Sequence, residues 1–257
     1  MNQPERSVKM RIKEIAETGS TNTWIAENTS EADAPLLVYA LWQTAGRGQR
    51  GNSWESEPGK NLTASALFVP GNIHPASQFS ISEAVALAVA DLLDEYGVEA
   101  AVKWPNDIYV GNRKICGILI EHSIVGQHLS RTVAGIGINI NQRVFLSDAP
   151  NPVSLWQLTG KEYDIPAVAS RLASCLEKRV GEACRPDGSG RESLHSAFMS
   201  RLWRGRGFHP FLDKKNGELI SARIAGVAPD GMLTLATHRG EMRVYAFKEV
   251  EFLLDEK

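Results

Sequence analysis

Cysteine is scarce in this 257-residue chain. The three cysteines, Cys116, Cys175 and Cys184, are odd in number and no two have C-x-x-C spacing, which argues against a disulfide framework or a zinc knuckle. The six histidines are scattered, with no H-E-x-x-H, so each reads as a surface or packing residue and not as a metal ligand. An excess of positive charge is missing too. Lys plus Arg is 28 and Asp plus Glu is 30, a net charge of −2, whereas a dedicated nucleic-acid binder is usually basic. Unbroken apolar stretches fall far short of the ~18 residues a membrane helix needs. The opening MNQPERSVKM has no apolar core of a secretory signal. The expectation is a cytoplasmic protein with no membrane partner and no DNA partner.

What is present is ordinary globular composition, 43% hydrophobic and 23% charged. The length suits one large domain, or one domain plus a small one, with a core that needs no staples. Leu36 to Gln43 and Leu62 to Val69 read as strands. Between them lies Thr44 to Lys60, TAGRGQRGNSWESEPGK, whose only large apolar residue is Trp54. A loop this long between two strands is usually functional or disordered, and arginines among backbone-freeing glycines favour function. Ser80 to Tyr96 has the periodicity of a helix, with Ser80 and Glu83 at capping-box spacing and Gly97 as a stop. Val98 to Glu121 reads as strands broken at Pro105-Asn106-Asp107 and Gly111-Asn112, and Thr132 to Ile140 as a buried strand. Helices are expected near Ile165 to Val180, capped by Asp164, and near Glu192 to Trp203. After Arg206-Gly207 short alternating runs separated by Asn216-Gly217, Pro229-Asp230-Gly231 and Arg239-Gly240 indicate a small all-β module.

Four clusters could carry chemistry. Arg47 and Arg50 sit in the glycine-rich loop, where guanidinium forks and free backbone N–H groups suit a cluster of anions; a solvated flexible loop is the plain alternative. Lys103-Trp104-Pro105-Asn106-Asp107 precedes Arg113-Lys114 and Gly117. Lys114 opens an apolar run, where an ammonium must find an anion: a ligand carboxylate or phosphate, Glu121, or Asp107. Asp107 could instead hold magnesium, which takes one or two carboxylates plus substrate phosphates. Gly135-Ile-Gly-Ile-Asn139 ends a buried strand, where glycine often marks close approach by a ligand or another chain, with Asn139 as the polar group at its mouth; a bulge with Asn139 in a turn is the plain alternative. Ser20-Thr21-Asn22 reads by itself as a helix cap.

In this order, ETGSTNTW, QTAGRGQRGNSW, KWPNDIYV, RKICGILIE and GIGININ resemble the biotin–protein ligase family, over roughly residues 14 to 160. The resemblance implies an α+β fold: a class II aminoacyl-tRNA synthetase-like catalytic domain with a mixed sheet and helices over residues 1–205, and a small SH3-like barrel over 206–257. It implies a ligase that forms biotinyl-5′-AMP from biotin and ATP with Mg²⁺ and transfers biotin to a lysine of a biotin carboxyl carrier protein. Ser20, Thr21, Asn22 and Gln43 would then hold the biotin ring system, with Gly46, Arg47, Gly48 and Gln49 folding over it and Gly117 also among the biotin-binding residues. Lys114 would contact the biotin carboxylate and the α-phosphate. Arg50, Trp54, Lys103, Asn106, Asp107 and Asn139 would attend to ATP and its metal. Lys114, Arg47 and Asp107 would carry the catalysis. The motifs begin near residue 14, which resembles the monofunctional members that lack a DNA-binding segment, and an exposed sheet edge could pair two copies. The alternatives are a lipoate or octanoate ligase of the same superfamily and a non-catalytic biotin sensor.

Gln49 and Asn52 stand where bacterial relatives often carry arginine. Fewer cations over the adenylate imply weaker retention. Gln49→Arg is therefore expected to slow release of labelled adenylate; equal release from the two chains would contradict this.

Overall fold

Leu62, Ala64, Ala66 and Phe68 join the main hydrophobic core, whereas the intervening Leu67 packs with Ile25, Leu36, Val38 and Val133 in a smaller cluster. That period-two alternation gives one sheet two different faces. The computed structural model describes residues 9–48, 52–71, 73–147 and 151–253. The elements of its larger part are β1 (Arg11–Thr18), α1 (Thr21–Asn28), β2 (Leu36–Gln43), β3 (Leu62–Phe68), α2 (Phe79–Glu95), β4 (Ala101–Lys103), β5 (Asp107–Val110), β6 (Arg113–Val125), β7 (His128–Ile138), α3 (Leu155–Thr159), α4 (Ile165–Ala183) and α5 (Ser189–Ser200). The seven strands form one sheet in the order β1-β2-β3-β7-β6-β5-β4. Only β1 and β2 run parallel, so the sheet is mixed.

One face carries α2, with α4 and α5 packed against it. Layers on both sides of α2 explain why it is buried almost all round and not along one stripe. Pro75–Glu95 is long and apolar enough by composition to cross a membrane, which the short unbroken apolar runs did not suggest; 72% of that window is buried inside the fold, as in a core helix. The expected capping box is also corrected. The helix starts at Phe79, so Ser80 lies inside its first turn and donates to the Ser77 carbonyl at 2.8 Å, while Glu83 turns to Nδ1 of His195 at 2.7 Å. Asp164 does cap α4, accepting from the Ala167 amide at 3.1 Å.

β8 (His209–Asp213), β9 (Glu218–Val227), β10 (Leu233–Thr237), β11 (Met242–Tyr245) and β12 (Val250–Phe252) form a second, antiparallel sheet in the order β11-β10-β9-β8-β12. Gly217 and Gly231 supply the positive φ, +75° and +92°, that two of its turns require. This sheet docks beside the 104–106 turn: Trp104 Nε1 donates to the Gly231 carbonyl at 2.9 Å, and Phe252 lies 5.9 Å from the Trp203 ring.

Burial raises the Glu83 carboxyl above its usual range, against the lowering effect of His195. A native pKa above the unfolded value means that the native state holds a proton the unfolded chain has released, so stability is lost as pH rises through that window. Glu83→Gln removes this titration. Its unfolding midpoint relative to the native chain should improve as pH rises above the ordinary carboxylate range; a constant difference would show that Glu83 does not drive the pH dependence.

Candidate active site

Cross-strand partners point to the same face, and the face away from α2 carries a row of unusual composition. Lys103 pairs Asp107, Asp107 pairs Gly117, Gly117 pairs Gly137, and Gly137 pairs Thr63. One step along the strands, Leu119 pairs Gly135 and Gly135 pairs Ser65. The middle of this face is therefore bare backbone. A Cβ at Gly137 would stand 2.5 Å from the Trp54 ring, and one at Gly117 would stand 2.9 Å from it. Trp54 thus lies on the glycine floor, with its Nε1 buried and unpartnered.

Strict alternation would put Lys114 on the same face as Cys116, inside the core. The register of β5 and β6 shifts between Ile108 and Tyr109, and Ile115 is the extra residue. This bulge re-aims the neighbouring side chain. Lys114 comes out over Gly117, where Cε and Nζ would be 3.3 Å from a Cβ, and Nζ pairs with Asp107 Oδ1 at 2.6 Å. Of the anions open to Lys114 within the chain, the structure selects Asp107. Glu121 is used elsewhere. Cys116 stays fully buried, and burial pushes its thiol pKa far up.

At the other end, Ser20 is the residue before α1, though its side chain makes no cap hydrogen bond. The next two residues enter a buried network. Gln43 Oε1 accepts from the Thr21 amide at 3.0 Å and from its hydroxyl at 3.2 Å. Ser65, fully buried, contacts Thr21 Oγ1 at 2.7 Å and Asn22 Oδ1 at 2.5 Å. Asn22 Nδ2 donates to Glu121 Oε2 at 2.6 Å, and Arg47 pairs with the same oxygen at 3.0 Å.

A cavity of about 980 Å³ joins the two ends. Ser20, Thr21, Asn22, Gln43, Arg47, Gly48, Trp54, Lys103, Asn106, Asp107, Lys114, Gly117 and Asn139 all line it, so residues from five separated motifs converge. Gly46 sits just behind, where a Cβ would stand 2.7 Å from Gln43 Nε2. Gln49 and Arg50 lie outside the described residues. Asn106 and Asn139 spend amide donors on the carbonyls of Ile118 and Val153, at 2.5 and 3.1 Å. Lys103 donates to the Tyr109 hydroxyl at 3.0 Å, within 6 Å of the rings of Tyr109, Trp203 and Phe252. Sequence reasoning missed Ser65, whose signal was a polar residue in an otherwise apolar strand, and the role of Glu121 as partner of Asn22 and Arg47. It also missed the wall that Lys214, Phe247 and Lys248 add from the second sheet.

Gly137→Ala should expel the Trp54 ring. Quencher access to Trp54, read as the difference from Trp54→Phe, is expected to rise; unchanged access in a folded variant would refute the floor contact.

Residues 15–139 match the biotin/lipoate A/B protein ligase family. The bifunctional ligase/repressor BirA of Bacillus subtilis is 29% identical over 90% of this chain and 70% of its own length. The biotin–[acetyl-CoA-carboxylase] ligase of Mycobacterium tuberculosis is 34% identical over 65% of this chain and 62% of its own. The Aquifex aeolicus biotin protein ligase, solved in complex with biotin and ATP, has the same fold: TM-score 0.76 at 23% identity, covering 94% of this chain and 97% of that one. With five motifs gathered around one cavity and the same fold in a solved ligase, this chain is similar to the biotin/lipoate A/B protein ligase family over residues 15–139.

Proposed function

We propose that the chain is an ATP-dependent ligase that forms biotinyl-5′-AMP and passes the biotinyl group to a lysine of a biotin carboxyl carrier protein. The observation that carries the choice of biotin is the proton inventory at the Gln43 end. Glu121 only accepts when ionised, so the Asn22 amide must face it with Nδ2 and turn Oδ1 to Ser65. Asn22 then offers a ligand a spare acceptor lone pair. Thr21 spends its proton within the network and offers another. Gln43 uses Oε1 on Thr21, which leaves Nε2 as a donor. One donor and two acceptors complement a cyclic urea, which has one carbonyl and two N–H groups. A lipoyl dithiolane or an octanoyl tail has neither, and would leave these groups unpaired at a heavy cost.

In the first half-reaction the biotin carboxylate attacks the α-phosphorus of ATP and pyrophosphate leaves. Two anions must meet, and Lys114, fixed above the glycine floor, supplies preorganised positive charge between them. Arg47 adds a second cation at the pocket mouth. Asp107 positions Lys114; as a single carboxylate beside Asn106 it also suits a magnesium ion that draws its other ligands from water and the triphosphate, brought in as part of the substrate. In the second half-reaction a neutral lysine amine of the carrier attacks the acyl carbon and AMP leaves. Buried Cys116 offers no acyl-transfer nucleophile, which weighs against the octanoyltransferase chemistry of the sister proteins.

The same reading assigns residues 1–205 to a synthetase-like catalytic domain and 206–257 to an SH3-like barrel. Support for the barrel comes from side chains that draw β11 back toward the β8–β9 hairpin: Tyr245 donates to Asp213 at 2.8 Å and Arg243 to Glu218 at 2.7 Å. Relatives named as biotin–[acetyl-CoA-carboxylase] ligases point to the carrier of that carboxylase as the acceptor. The exposed, outermost β1 is the edge along which a second copy would pair. Three free cysteines fit the reducing cytoplasm.

Pyrophosphate exchange into ATP should depend on biotin and not on lipoate or octanoate. Lys114→Ala should lower it by about 100-fold or more, and Lys114→Arg should restore it only in part, because a guanidinium has a different shape. Exchange with lipoate would move the chain to the sister activity, and near-native exchange in Lys114→Ala would remove that residue from the chemistry.

A further inference from the structure

The turn that presents Asn106 and Asp107 has little of its own to hold it. It joins β4 and β5, three and four residues long, and β4 is the outermost strand of the large sheet. A hairpin that short is marginal by itself. Toward β6, Asn106 is fixed twice: its carbonyl accepts from the Ile118 amide at 3.0 Å, and its Nδ2 donates to the Ile118 carbonyl at 2.5 Å. Toward the second sheet the anchor is Trp104, buried at 4% exposure. Its Nε1 donates to the Gly231 carbonyl at 2.9 Å, and the Phe247 ring packs edge-on against it. The β9–β10 turn that offers this carbonyl is itself well held. Gly231 N to Ala228 O and Ala228 N to Met232 O, both 2.8 Å, close it, and Phe79 N to Pro229 O at 3.2 Å ties it to the first turn of α2. Gly231 has φ +92° and no room for a Cβ, which would stand 2.7 Å from the Phe79 ring.

We infer that Trp104 is a positioning residue: its indole N–H holds the 104–106 turn against the second sheet, and so fixes Asp107 and, through Asp107, the Lys114 ammonium 2.6 Å away. This rests on the reading of Lys114 as the charge between the biotin carboxylate and the α-phosphate. Adenylate formation needs that charge in a narrow range of places, so it depends on the anchor. The groups read as biotin ring contacts, Thr21, Asn22 and Gln43, are held by a separate network, so biotin binding does not. The second sheet thereby acts on the chemistry through one hydrogen bond to a carbonyl, apart from any contact its own side chains make in the cavity.

The test replaces the Trp104 indole by its sulfur isostere, benzothienylalanine, which keeps the ring and removes the donor. Beside it stand Gly231→Ala, which displaces the acceptor, and the chain carrying both changes. Pyrophosphate exchange with biotin gives kcat and KM, and a titration gives the biotin Kd. In the ligand-free chain, amide hydrogen exchange at Ile118 reads the turn, with Ala64 in β3 as the internal control. The isostere should lower kcat about three- to tenfold and leave the biotin Kd unchanged. It should raise exchange at Ile118 and not at Ala64. Gly231→Ala should do the same in the native background and add nothing to the isostere. Unchanged kcat, a parallel loss of biotin affinity, effects that multiply in the cycle, or a rise that includes Ala64 would overturn the proposal. Should Gly231→Ala fail to fold, the isostere alone decides. If the native chain shows no exchange with biotin, the biotin reading fails by that result, and the ligand-free exchange at Ile118 still decides whether Trp104 holds the turn.

Discussion

In the proposed reaction Lys114 is the charge at the place where two anions meet, and its side chain is only 29% exposed. An ammonium in that position needs a fixed partner and a way onto the right face of the sheet. Asp107, the register partner of the Gly117 over which Lys114 lies, supplies the first at 2.6 Å. The bulge at Ile115 supplies the second. The glycines at 117 and 137 follow from the same requirement. Any side chain there would fill the space above the strands that Lys114 and Trp54 now share.

The opposite end of the cavity works by hydrogen-bond direction and not by charge. Each member of the Gln43, Thr21, Ser65 and Asn22 chain has its orientation set by a neighbour that can only accept or only donate. Fixed in this way, the groups cannot rotate freely, and under the proposed function that rigidity is the source of selectivity. Glu121 terminates the chain by accepting from Asn22 and also pairs with Arg47.

Lys103 shows a third way of holding a cation. No ion pair among the described residues involves it; it sits among the rings of Tyr109, Trp203 and Phe252, which come from the large sheet, the segment after α5 and the second sheet. Cation–π attraction there joins the two sheets at the cavity wall. The second sheet is thereby part of the site, through Lys214, Phe247 and Lys248, and not an appendage.

Much of this was legible beforehand. The spans of β2, β3, α2 and α4 follow from apolar periodicity, the turns at Gly217 and Gly231 from residues that tolerate positive φ, and the grouping of motifs from their order along the chain. β1 was not legible. Its residues are mostly exposed at a sheet edge, so no alternation marks them, and only pairing with β2 makes them a strand. The Ser80–Glu83 cap misled because a spacing does not say where a helix begins, and Glu83 had a tertiary partner in His195. The sequence by itself determined which residue types were available and the two-residue period that separates a core face from a site face. Only the tertiary structure decided that Lys114 crosses to the site face at a bulge, that Asp107 and not Glu121 receives it, and that Glu121 is left to hold Asn22 and Arg47, because those outcomes depend on strand register, which is set by contacts between segments far apart in the chain.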